Sequence, residues 1–134
     1  MTRQKRASIL AGAAAAMLVI TAAFHCTGFD SVSRVASEAG GDLAIIVPLL
    51  WLSFSIDLVA LGLIAALIAR QPARVHRPLL LVLAAPPLSA ALMQVWYIGF
   101  VPPTAVLLLD VGLLIAAAVS VPPSADTLSN RGHR

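Results

Sequence analysis

The chain reads as an all-α membrane protein, a four-transmembrane-helix bundle with both termini cytoplasmic, and three observations lead there. Its 134 residues are 60% hydrophobic and 11% charged, with a mean hydropathy of +0.94, whereas charged residues make up about a quarter of an ordinary soluble domain. The charges are gathered into short segments separated by apolar runs long enough to cross a bilayer. The basic residues, finally, fall almost entirely on alternate connections. Outside the apolar runs lie two tails, one polar loop and two tight connections, too little for a second domain, so residues 1–134 are expected to form one.

The first span is Ala7 to Cys26, free of Asp, Glu, Lys and Arg and preceded by Arg3, Lys5 and Arg6. This stretch also has the basic start, Ala-rich middle and small residues of a signal peptide. Its apolar part is longer than the usual signal core, so retention as an anchor is expected. The second span is Leu43 to Ala69. No charge occurs between Arg77 and Asp110, and Pro102-Pro103 divides that stretch into a third span, Pro78 to Phe100, and a fourth, Pro103 to Val121. Gly99, Pro102 and Pro103 read as a hairpin turn, and Pro122-Pro123 as the end of the last helix. Pro86-Pro87 inside the third span removes backbone donors, which predicts a kink and a candidate pocket wall or hinge. Small residues four apart, Gly12 with Ala16 and Gly112 with Ala116, predict close helix contacts.

Arg3, Lys5, Arg6, Arg70, Arg74, Arg77, Arg131 and Arg134 all fall on one side of an even number of spans. Only Arg34 falls on the other, beside Asp30, Glu38 and Asp42. The positive-inside rule therefore assigns both termini to the cytoplasm of a multi-pass cell-membrane protein. A net charge of +3 and a pI near 10.0 are explained by arginines anchoring helix ends at anionic headgroups, without nucleic-acid binding. The polar segment Thr27–Asp42, with Gly40-Gly41, is expected to be a lid over an outward pocket or a plain connection.

Asp57 and Asp110 are the functional anomaly, because a carboxyl within a spanning helix is expensive. Asp57 lies roughly 20 Å along its helix from Leu43 and roughly 18 Å from Ala69, and Asp110 roughly 10 Å inside the fourth span. Both helices run in the same direction, which puts Asp57 near the bilayer midplane and Asp110 in the outer half, so the two share a neighbourhood in depth. His25 ends the first span at that face, and Gln94, Trp96 and Tyr97 approach it on the third. Ser53 shares a face with Asp57, while Ser55 points elsewhere, and Trp51 and Phe54 occupy the same outer turns. The expected catalytic residues are Asp57, Asp110 and His25, with Trp51, Ser53, Phe54, Gln94, Trp96 and Tyr97 around the substrate. The alternative is structural: neutral carboxyls bonding across helices, aromatics forming an interfacial belt, and His25 as an interfacial polar group.

No nucleotide loop, zinc motif or Ser-His-Asp order is present, so neither cofactor nor metal is expected. The lone Cys26 forms no intramolecular disulfide and is expected to be a packing residue. Three functions fit. One is an intramembrane enzyme performing acid-initiated isomerisation or cyclisation of a lipophilic, isoprenoid-like substrate, in which an aspartic acid donates the proton and aromatic faces stabilise the cation. Another is a noncatalytic membrane subunit or assembly factor, as a homo-oligomer or with a larger membrane partner. The third is a small proton-coupled transporter. The chain is similar in size and helix number to small multidrug-resistance transporters but lacks their acidic residue in the first helix. Membrane lipid is a partner in every case.

Cys26 is the only cysteine and ends the first span, so it reports the topology directly. A membrane-impermeant maleimide added to intact cells is expected to label it. Labelling only after lysis would reverse the orientation.

Overall fold

The computed structural model describes residues 1–71 and 77–122; Arg74, Pro123, Arg131 and Arg134 lie outside them. Five helices follow one another: α1 Arg3–Cys26, α2 Phe29–Ala39, α3 Leu43–Arg70, α4 Arg77–Ile98 and α5 Pro102–Ser120. All except α2 are long and apolar enough to cross a membrane, and the described residues contain no strand. The four long helices match the expected spans within a few residues at each end, the largest difference being the basic start of α1, which is helical from Arg3. Thr2 caps it, its hydroxyl accepting from the Lys5 amide at 3.3 Å, which satisfies one of the unpaired donors of the first turn.

A seven-residue rhythm organises the packing. On α1 the inward positions Ala7, Ala11, Ala14, Leu18 and Thr21 alternate spacings of four and three, and His25 continues the series half-buried. On α3 the series is Ser55, Leu58, Gly62 and Ala65, and on α5 Thr104, Leu107, Val111, Leu114 and Ala118. On α4 it is Leu80, Ala84, Pro87 and Ala91, continued by the half-buried Gln94. This repeat keeps one stripe of each helix against its neighbour over its whole length. The remaining faces are apolar too, with Ile45, Ile56, Leu63, Val82, Leu92 and Val119 all exposed. Hydrocarbon on every outer face is what a lipid environment requires.

Helix α1 is central, packing along α3 on one side and along α5 on the other, while α4 packs on α5 and touches α3 only briefly. The small side chains of α1 permit this, since without a hydrophobic force between helices in lipid, association depends on close van der Waals fit. The tightest crossing is at Gly62, where an added Cβ would come within 3.1 Å of both the Ala15 carbonyl oxygen and Val19 Cγ2. The Ser8 hydroxyl donates to the Ala69 carbonyl at the other end of the same interface, satisfying a carbonyl that the end of α3 leaves without a helical partner. Gly12 does approach α3, 3.8 Å from Ala69 Cβ, but Ala16 is exposed, and Gly112 has open space where a Cβ would stand. The expected glycine–alanine contact pairs are therefore replaced by Gly62 and the alanine stripe of α1.

Two features of the connections differ from the sequence reading or refine it. The polar segment after Cys26 contains an eleven-residue helix, α2, which lies against α3. Phe29, Val32 and Ala36 recur at helical spacing and are its half-buried or buried positions, so the signal was present in an otherwise polar stretch. Gly40 and Gly41, with φ of 72° and 58°, make the turn into α3, a backbone that residues with a Cβ rarely adopt. Pro86 and Pro87 lie within a continuous helical α4, with Pro87 buried and the Ser89 hydroxyl donating to the Pro86 carbonyl at 2.8 Å.

Gly62→Val is expected to destabilise the bundle by about 1–3 kcal/mol, and Gly112→Ala to leave it unchanged, measured by denaturation from mild detergent. Equal effects at the two sites would show that the α1–α3 crossing is not the tight one.

Candidate functional site

The four buried stripes share a second property: each turns polar toward the end of the bundle away from the start of α1 and the end of α5. α1 ends its series with Thr21 and His25, α3 opens its own with Ser55, α4 closes on Gln94 and α5 opens on Thr104. The packing of neighbouring helices brings these groups together in three hydrogen-bonded pairs, His25 with Ser55, Gln94 with Thr104 and Thr21 with Asp110.

His25 anchors the first pair. Its Nδ1 is 2.9 Å from Ser55 Oγ, and which of the two donates follows from the ring nitrogen that carries the hydrogen. The ring stacks on Trp51 with centroids 3.9 Å apart and meets Phe54 edge-on at 5.0 Å. Trp51 is fixed in turn, its Nε1–H donating to the His25 carbonyl at 2.9 Å. Gly28 makes room for it: a Cβ there would lie 2.9 Å from Trp51 Cζ2. Nε2 of His25 has no hydrogen-bond partner among the described residues. It belongs to a residue lining a cleft of about 330 Å³. Phe24, Trp51, Gln94, Ile98 and Pro103 supply the cleft's other main walls.

Gln94 links the cleft to α5, where its Oε1 accepts from the Thr104 hydroxyl at 2.8 Å. Thr104 Oγ1 also receives the Val101 amide at 3.4 Å, so one side chain ties the α4–α5 hairpin and caps the start of α5. Below this level Thr21 meets Asp110, with Thr21 Oγ1 2.7 Å from Asp110 Oδ2 and 2.9 Å from the Met17 carbonyl oxygen. A hydroxyl has one hydrogen to donate. Both contacts are hydrogen bonds at once when Asp110 is a neutral acid donating to Thr21, which then donates to Met17. Asp110 Oδ1, fully buried, has no partner, a state far cheaper for a neutral carboxyl than for an anion. A narrow pocket of about 20 Å³ between His25, Gln94, Thr21 and Leu107 joins the two levels, room for about one water molecule.

The expected site residues thus separate. His25, Trp51 and Gln94 line the cleft, and Phe54 backs it from the narrow pocket. Asp110 is buried one level below, screened by Thr21. Asp57 and Ser53 do share a face of α3, but it is the exposed outer face, whereas Asp110 is buried in the bundle, so the structure does not bring the two carboxyls together. The register explains this: Leu58 and Ser55 occupy the inward positions, which turns Asp57 away from α1. Trp96 and Tyr97 are 83% and 74% exposed at the end of α4 and stand outside the cleft, because Gln94 takes the inward position. Thr27 and Gly28, at the start of the polar connection, line the cleft, while α2 itself packs against α3. Polarity and depth do not place Thr21, Ser55 or Thr104 at the site, although each stands at seven-residue register with buried apolar neighbours.

The chain matches no known family model, curated protein or solved structure.

Thr21→Val is expected to cost about 1–3 kcal/mol of stability, since it leaves a buried carboxyl without its bond. Asp110→Asn keeps a donor toward Thr21 and is expected to cost less than about 1 kcal/mol. An Asn variant as unstable as Asp110→Ala would show that the site requires a negative charge.

Proposed function

We propose that the protein is a noncatalytic subunit or assembly factor of a membrane complex, docking through the outer face of α3. One observation carries this reading. Asp57 stands at the middle of a 28-residue apolar helix and faces away from the bundle, with Ser53 one turn before it. It has no hydrogen-bond or ion-pair partner among the described residues. Its distance from either end of α3 is about 20 Å, too far for so short a side chain to reach the headgroups. Insertion of an Asp at the bilayer centre costs about 2.5–3.5 kcal/mol, and such residues almost always face protein or a water-filled cavity. A neighbouring polypeptide over α3 supplies that environment, with Ser53 and Asp57 as a polar stripe for hydrogen bonds between chains.

A second reading is favoured by the cleft. His25, held by Ser55 and Trp51 beside Gln94 in an otherwise apolar recess, suits a lipophilic small molecule carrying one polar group. In the catalytic form of this reading, isomerisation or cyclisation of an isoprenoid-like substrate, His25 is the proton-transfer group, because Asp110 lies beneath the cleft and Asp57 outside it. No observation favours proton-coupled transport.

Asp57→Leu separates the two. The native chain, extracted in mild detergent, is expected to run as an assembly heavier than the 13.9 kDa single chain, and the variant as single chains of unchanged helicity, while Asp57→Asn keeps the assembly. An unaltered mass for Asp57→Leu would sink the docking reading. Loss of a bound lipophilic probe on His25→Phe, with the assembly intact, would establish the second.

A further inference from the structure

The end of the bundle that carries the chain's N-terminus holds a cleft unconnected with His25. Its volume is about 600 Å³, and it is lined by Arg3 and Arg6 of α1 and by Gly112, Ile115, Ala116, Val119 and Ser120 of α5. We infer that this cleft is a binding site for one anionic phospholipid, its phosphate held by Arg3 and Arg6 and one acyl chain lying along α5 from Ser120 toward Gly112.

The shape and chemistry of the cleft point to this occupant. Arg3 and Arg6, three residues apart in the first turn of α1, are neighbours on one face, and both are exposed. Guanidinium groups bind phosphate oxygens through paired hydrogen bonds and are desolvated at lower cost than an ammonium. The described acidic residues Asp30, Glu38 and Asp42 belong to α2 and the start of α3, at the opposite end, Asp57 stands at the middle of α3 outside the cleft, and Asp110 faces α1 and is fully buried. None competes for the arginines. From Ser120 to Gly112 the α5 wall runs about 12 Å. It changes from a hydroxyl beside the arginines to a glycine with open space around it. A free phosphate ion would use only the charged end. The apolar wall is continuous with it and lies at acyl-chain depth, which selects a lipid over a soluble anion. Lys5 stands in the same turn but is not part of the cleft, so it offers an internal control of equal charge.

Native mass spectrometry of the full chain released from detergent, titrated with dioleoyl phosphatidylglycerol or dioleoyl phosphatidylcholine, tests this. The native chain is expected to retain phosphatidylglycerol over phosphatidylcholine by roughly tenfold or more, the scale of two basic side chains at a lipid surface. Arg3→Gln with Arg6→Gln removes that preference, and Lys5→Gln keeps it. Gly112→Leu, which fills open space and is expected to leave the melting temperature unchanged, weakens retention with both arginines in place. Equal losses from Lys5→Gln and from either arginine would reduce the effect to general surface charge and overturn the site. Competition by inorganic phosphate, or full retention in Gly112→Leu, would overturn the acyl-chain half of the assignment.

Discussion

Close approach along α1 is the constraint on which the rest of the molecule depends. In lipid, apolar surface gains nothing by being buried against other apolar surface, so the helices hold together only where backbones come near enough for dense van der Waals contact and for hydrogen bonds between them. α1 supplies that proximity on two sides, with alanines at Ala7, Ala11, Ala14 and Ala15 and a glycine facing it from α3 at Gly62. The polar clusters follow from the same stripe. Thr21 and His25 occupy the next positions of the series that packs α1, so the geometry that brings alanine to glycine at one end brings hydroxyl to carboxyl and imidazole to hydroxyl at the other.

This explains how polar groups are tolerated at depth. Ser55, Thr104, Gln94, Thr21 and Asp110 each face another helix and are answered by a partner within it. Asp57 is the exception, and its difference from Asp110 is one of register and not of composition. Both are single carboxyls in apolar helices; one is turned into the bundle and one out of it. The buried group is accounted for by internal bonding, whereas Asp57 has no hydrogen-bond partner among the described residues.

Much of the architecture was legible in the amino-acid order. Apolar runs separated by arginines and prolines delimit α1, α3, α4 and α5 to within a few residues, because length and charge decide whether a segment can span a bilayer. The facing of each helix was less legible. α3 and α4 are apolar on every side, so hydrophobic periodicity, the usual guide to the inward face, carries almost no signal. Polarity alone therefore points to the Ser53–Asp57 stripe as the substrate side, although it is an outer face, and turns the inward Ser55 away. The stripe running from Ser55 through Leu58 and Gly62 to Ala65 was the available clue, since a glycine and small residues at seven-residue spacing mark close helix contact better than polarity does. Of the cleft, His25, Trp51, Phe54 and Gln94 were readable from depth alone; Trp96 and Tyr97, at the same depth, needed the register of α4 to be placed outside.

The bond between Thr21 and Asp110 bears on how the chain enters a membrane. Of the five described helices α1 is made first and α5 last, bringing with it a carboxyl that hydrocarbon resists. Its partner hydroxyl, Thr21, is on α1, which precedes it in the chain, so by the time Asp110 arrives its partner is already made. The Gln94–Thr104 bond lies across the turn between α4 and α5, which favours delivery of the two as a hairpin rather than as successive single spans. The hairpin packs on α1 through α5, and it is this contact that buries Asp110.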